Sequence, residues 1–187
     1  FRRHRSREDH VFSLSSVIRN NANVIATFVD LKKAFDFVDR DMLLYKLLLN
    51  NIDGKMYKSI INIYSYTTAS IRVNQKISDW FVCNSGVKQG DNCSPTLFSI
   101  FINDLVQEVN NLDLGINIED TKLSMLLYAD DIVLLAYNET DMQKMLDKLH
   151  DWCKRWRVLI NTDKSKVVHF RSGRRQRTSF QFKIGDN

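Results

Sequence analysis

Two adjacent carboxylates, Asp130 and Asp131, stand between the apolar runs Leu126-Leu127-Tyr128 and Ile132-Val133-Leu134-Leu135-Ala136. That pattern predicts a β-hairpin with both acids at its tip. Neither run alternates, so the strands are expected to be buried on both faces, and the acids must sit where the hairpin meets solvent. Two neighbouring anions repel, and a rigid turn that holds them together is costly unless a cation shares the site. A hard divalent metal would relieve that cost. Aspartate is also ordinary turn chemistry, so the pair alone leaves both readings open.

A third acid enters through the same logic. Val24-Ile25-Ala26-Thr27-Phe28-Val29 reads as a buried strand that ends at Asp30. A side chain there is fixed by the core yet reaches solvent, which suits a functional group. Asp30 is the second candidate metal ligand, with a helix cap or turn acid as the alternative. The order of elements places Asp30 and the Asp130 pair on neighbouring strand ends of one mixed sheet backed by helices.

The elements that must position these acids follow from periodicity. Val11, Leu14, Val17 and Ile18 predict a helix over 8–20. A helix from Asp39 carries Met42, Leu43, Leu44, Leu47 and Leu48, and a second from near Gly54 carries Met56, Tyr57, Ile60, Ile61 and Tyr64. Ala69 to Gln75 alternates and Trp80 to Cys83 follows a polar turn, which predicts another hairpin. The glycine-bearing loop Ser85 to Cys93 leads into a helix with Ser94 as N-cap and Pro95 in first position. Free N–H groups at such an entry suit a phosphate, or a base and sugar approached closely; most such loops are plain connections. After the Asp130 hairpin, Thr140 is expected to cap a helix striped with Met142, Met145, Leu146, Leu149, Trp152, Cys153 and Trp156. Val158 to Asn161, the polar link Thr162 to Ser165 and a strand at Lys166 to Phe170 complete the order.

Composition bounds the function. The 187 residues are 44% hydrophobic, enough for one substantial core, and a single domain is expected. A net charge of +5 and a pI near 9.1 permit a polyanionic partner. Basic residues crowd Arg2-Arg3-His4-Arg5 with Arg7, and Arg171 to Arg177; each cluster suits a solvated face as well as a phosphate surface. Cys83, Cys93 and Cys153 lack the spacing of a zinc site or a disulfide framework, so a reducing, intracellular setting is expected. The four histidines are scattered without ligand spacing. No apolar run approaches a membrane span, so no membrane partner is expected. The chain starts at Phe1, which suggests a piece of something longer.

Three segments together resemble a polymerase palm, specifically the reverse transcriptases of LINE-type, non-LTR retrotransposons. Phe28-Val29-Asp30-Leu31-Lys32-Lys33-Ala34-Phe35-Asp36 is similar to the family's first catalytic motif. Gly86-Val87-Lys88-Gln89-Gly90, with Ser94-Pro95-Thr96-Leu97-Phe98 and Asn103-Asp104-Leu105, is similar to its template and nucleotide motif. Tyr128-Ala129-Asp130-Asp131 matches its central signature, while Phe1 to Phe12 resembles a fingers segment and Asn161 to Lys164 a later palm motif.

The resemblance implies an α+β fingers-and-palm fragment with a mixed or antiparallel palm sheet backed by helices, with fingers and fingers/palm at 1–23 and about 40–85 and palm at 24–39 and 86–187. It implies RNA-directed DNA polymerase activity, in which Asp30, Asp130, Asp131 and the carbonyl of Leu31 hold two Mg²⁺ ions, with Mn²⁺ as a possible substitute. Phe35 would lie under the sugar and exclude a 2′-hydroxyl. Gln89 and Gly90 would lie against nucleotide and template, and Lys164 would approach the triphosphate as a cation or general acid. Expected partners are an RNA template, a DNA primer and deoxynucleoside triphosphates, with a location in nucleus and cytoplasm. The endonuclease and thumb of a parent polyprotein are expected to be missing. The alternatives are a maturase-like reverse transcriptase and an inactive remnant that only binds nucleic acid.

Overall fold

A computed structural model describes residues 7–173 and 175–185. The Arg2–Arg5 cluster and Arg174 therefore lie outside the described residues, as does the first half of the fingers-like start. In chain order the elements are α1 (Arg7–Asn20), β1 (Asn23–Val29), α2 (Arg40–Leu49) and α3 (Gly54–Ser65). Four two-residue strands follow: β2 (Thr68–Ala69), β3 (Arg72–Val73), β4 (Lys76–Ile77) and β5 (Phe81–Val82). Then come α4 (Ser94–Asn110), β6 (Ile116–Ile118), β7 (Thr121–Leu123), β8 (Met125–Tyr128), β9 (Asp131–Ala136), α5 (Glu139–Arg155) and β10 (Lys166–Arg171). The chain forms two compact units, one of Phe1–Lys32 with Ile102–Asn187, the other of Lys33–Phe101.

The first unit is built on a four-stranded sheet in the order β10-β1-β9-β8. Every pairing in it is antiparallel, so of the mixed or antiparallel palm sheet expected from the resemblance it is the antiparallel form. On one face Val24, Ala26, Leu126 and Leu135 pack with Val17 of α1 and with Ile116. On the other, the Thr27 hydroxyl donates to the Met142 sulfur of α5 at 3.0 Å. Helices on both faces explain why the strand sequences do not alternate. The α5 stripe is fully buried from Met142 to Trp152, and each such side chain contributes roughly 1.5–3 kcal/mol by leaving water. Trp152 also donates its indole N–H to Asp104 of α4 at 3.0 Å.

Two local expectations are corrected here. Asn138, not Thr140, caps α5: its side chain accepts the Asp141 N–H at 2.9 Å, because Asn is the better-placed acceptor three residues before that amide. The β6–β7 hairpin was not foreseen. Its strands are three residues each, too short for a periodic signal to stand out, and Gly115 marks it instead: a Cβ there would meet the Leu123 carbonyl oxygen at 2.7 Å.

In the second unit, Asp39 caps α2 by accepting the Asp41 and Met42 N–H groups. The hairpin after α3 is two nested ladders, β2 with β5 and β3 with β4. Its tip is at Asn74-Gln75, whose φ angles of 45° and 68° suit a two-residue turn, rather than in the polar stretch before Trp80. α4 starts at Ser94, and the Leu97 amide already bonds the Cys93 carbonyl. Ser94 thus lies inside the first turn, one place beyond the cap position, because Asp91 turns the chain earlier by accepting the Cys93 N–H at 2.9 Å.

Candidate active site

The hairpin of β8 and β9 closes with the pair Tyr128↔Asp131. Ala129 and Asp130 are therefore the two turn residues, and Asp131 opens β9. Ala129 takes the left-handed φ of 54°, as the first central residue of such turns requires. A residue with a Cβ is strained there by about 1–2 kcal/mol. Asp130 is half-buried and Asp131 exposed.

Asp30 reaches the same end of the sheet. The last β1–β9 pair is Val29↔Ile132, so Asp30 and Asp131 each lie one residue beyond that pair. The structure thus brings Asp30, through the fold, to the sheet end that carries the adjacent pair Asp130 and Asp131, from which the sequence keeps it far apart. Asp30 is held on its other side by the segment whose start, Asn161 to Lys164, resembles a later palm motif, through two residues, Asn161 and Ser165, that sequence reasoning gave no role there. Asn161 donates its side-chain amide to the Asp30 carboxylate at 2.9 Å, and its backbone N–H bonds the Asp30 carbonyl at 2.8 Å. The Asp30 N–H donates to the Ser165 hydroxyl at 3.1 Å. The sequence signals were that resemblance and an Asn between the apolar run Val158 to Ile160 and a polar link, and neither names Asp30 as the partner.

Leu31 is buried, and it bridges Ile160. The bonds of that bridge belong to the Asp30 carbonyl and the Lys32 N–H. In a strand the polar groups of successive residues point to opposite edges, so the Leu31 carbonyl is left on the edge where β9 runs. Lys164 is exposed, in the turn whose backbone bonds return to the Asn161 carbonyl.

These donors are oxygens only, which suits a hard divalent cation. Among the described residues, no three His, Cys, Asp or Glu side chains are gathered closely enough to hold an ion between them. Mg²⁺ does not need such a cage, since one or two carboxylates with waters and substrate phosphates suffice. The donor set fits.

Phe35, Gln89 and Gly90 belong to the second unit. The Phe35 ring stacks on Phe98 at 4.5 Å with 22° between planes, which fixes its orientation. Gln89 donates its amide to Asp36 at 2.7 Å. Gly90 is exposed, with φ of 87° and open space where a Cβ would be, so its backbone conformation, not crowding, calls for glycine.

Residues 1–183 match the family described as reverse transcriptase (RNA-dependent DNA polymerase). The chain belongs to the reverse transcriptase family. It is 28% identical over 92% of its length to the Pol polyprotein of the R2 element of Popillia japonica, and covers 29% of that protein. It is 32% identical over 75% of its length to a probable RNA-directed DNA polymerase from transposon BS of Drosophila melanogaster, covering 16% of it. The jockey polymerase of the same fly is 26% identical over 85% of the chain, which covers 17% of that protein. Among solved structures, Candida tropicalis telomerase with a fragment of telomeric RNA superposes with a TM-score of 0.62 at 13% identity. That match covers 92% of this chain and 30% of the telomerase chain. The reverse transcriptase fold is therefore that of polymerase fingers and palm, and the chain spans less than a third of each of these proteins. Among its described residues, no helix is long and apolar enough to cross a membrane.

Proposed function

We propose that the chain performs RNA-templated DNA synthesis, adding deoxynucleotides to a primer 3′-hydroxyl, as part of a non-LTR retrotransposon polymerase. The observation that carries this is the convergence of Asp30 with the Asp130–Asp131 hairpin at one end of an antiparallel sheet, in a chain of this family. Asp30, Asp130, Asp131 and the Leu31 carbonyl would hold two Mg²⁺ ions, with Mn²⁺ as a substitute. When bound, such a pair stabilises the attacking and leaving oxygens of an in-line displacement. The primer oxygen forms a bond to the α-phosphorus, the α–β bond breaks, pyrophosphate leaves, and the hydroxyl proton passes to water.

The chain's own residues supply the geometry. Asn161 and Ser165 fix Asp30, so its carboxylate needs little reorganisation on binding. Phe35, held flat against Phe98, forms the floor under the sugar and excludes a 2′-hydroxyl. Gln89 and Gly90 lie against nucleotide and template, and Lys164 meets the triphosphate as a cation or general acid. We assign 24–39 and 86–187 to the palm and 1–23 with about 40–85 to the fingers and fingers/palm region.

Primer extension on an RNA template, with this chain in the polypeptide that naturally contains it, tests the reading. Deoxynucleotide incorporation is expected, and Phe35→Ala should raise ribonucleotide incorporation by about 10-fold or more, as loss of a steric block of roughly 1–3 kcal/mol predicts. Binding of primer–template without any extension would leave only the nucleic-acid-binding alternative.

A further inference from the structure

Arg40 spends four of its five N–H groups on backbone carbonyls. Its Nε donates to the Gly86 carbonyl at 2.9 Å, one terminal nitrogen to Cys83 at 2.7 Å and Tyr64 at 3.2 Å, and the other to Ser85 at 3.1 Å. The guanidinium also lies 5.1 Å from the Tyr64 ring. A side chain that so thoroughly satisfies one loop's carbonyls dictates the loop's path, because each bond breaks if the loop shifts by about 1 Å.

The same loop is tied to the segment that follows Phe35. Gly86 donates its N–H to Val38 and Val87 donates to Phe35, both at 2.8 Å. The Ser85 hydroxyl bonds the Asp36 carbonyl at 3.2 Å. Gly86 sits so close that a Cβ would meet the Asp36 carbonyl oxygen at 2.6 Å. At the end of this seam the Asp36 carboxylate accepts the Gln89 amide N–H at 2.7 Å. A carboxylate only accepts, so Asp36 settles which end of the Gln89 amide it holds: the nitrogen is taken and the carbonyl oxygen is presented outward.

We infer that Arg40 and Asp36 are positioning residues for nucleotide binding: Arg40 sets the Cys83–Gly90 loop, and Asp36 orients the Gln89 amide so that its oxygen faces the ligand as an acceptor. This rests on the proposed polymerase reading of Gln89. The group it would accept from is an N–H or O–H of the incoming nucleotide or the template.

Three substitutions test it. Asp36→Ala should raise the KM for deoxynucleotide about 10-fold with kcat within about threefold, as expected for lost ground-state positioning. Asp36→Asn, which keeps an acceptor oxygen, should restore most of that loss. In a Gln89→Ala background, Asp36→Ala should change KM no further, since the two act as one unit. Arg40→Lys cannot span four carbonyls and should speed tryptic cleavage after Lys88 with the melting temperature little changed. The Gln89 side-chain amide NMR signals should move in Asp36→Ala. Additive KM effects, a fall in kcat alone, or unchanged Lys88 cleavage in Arg40→Lys would overturn the inference. If the unsubstituted protein extends no primer, the polymerase reading fails by itself. The Gln89 signals and Lys88 cleavage then decide whether the clamp exists.

Discussion

Ala129 holds Asp130 at the turn by accepting a backbone conformation that its Cβ disfavours. Replacement by Gly should not destabilise, because relief of strain offsets the larger entropy lost by glycine. Ala129→Val places a branched side chain at positive φ and should cost about 1–3 kcal/mol. Urea denaturation of the two variants checks both expectations. On the opposite side, Asn161→Ala leaves the Asp30 carboxylate without its 2.9 Å partner. Activity should fall by about 10–100-fold at limiting metal and recover in part as metal is raised, the pattern of a lost supporting hydrogen bond. The three acids were legible in sequence because each stands out against an apolar run. The roles of Asn161 and Arg40 were not, because a side chain that bonds a group distant in the chain, the Asp30 carboxylate for Asn161 and backbone carbonyls for Arg40, carries no periodic signal.

At the scale of elements, α5 was the clearest reading. Its stripe repeats at helical spacing, and the structure buries every named residue of it. Leu149→Ala should therefore cost about 2–5 kcal/mol, measured as a shift in the denaturation midpoint. Exposed short strands were harder: β3 and β4 turn at Asn74-Gln75, and only the turn's positive φ angles distinguish that site from the polar stretch beyond it. The segment after β10 is tethered back to the helix start. The Thr178 hydroxyl bonds the Glu139 carboxylate and holds its pKa below the usual glutamate value, with the backbone at Glu139 and His169 adding to the effect. Thr178 also donates its N–H to His169 at 3.1 Å. A lowered pKa means that the tether is in place above the ordinary glutamate range and is lost as pH falls through the shifted value. Cleavage after Arg177 should accelerate on acidification in the native protein, and Glu139→Gln should remove most of that pH dependence.

For the molecule as a whole, the architecture was legible because segment order carries it: a strand ending in an acid, a glycine loop entering a helix, then a hairpin bearing two acids. The resemblance left the sheet as mixed or antiparallel, and local sequence could not decide between them, since β1 pairs with β9 and β10 across more than a hundred residues and no local feature of β1 reports its neighbours. The family match over residues 1–183 and the TM-score of 0.62 agree with that order. The two-metal nucleotidyl transfer proposed at Asp30, Asp130 and Asp131 makes a demand on metal as well as on sequence. The most direct measurement is single-turnover incorporation of one deoxynucleotide on an RNA template across a Mg²⁺ titration, for the native chain and for Asp130→Asn. Native incorporation should rise with Mg²⁺ and vanish on chelation, while Asp130→Asn should lose about 1,000-fold or more, as removal of a metal-holding carboxylate predicts. Incorporation by Asp130→Asn at the native rate would contradict the account.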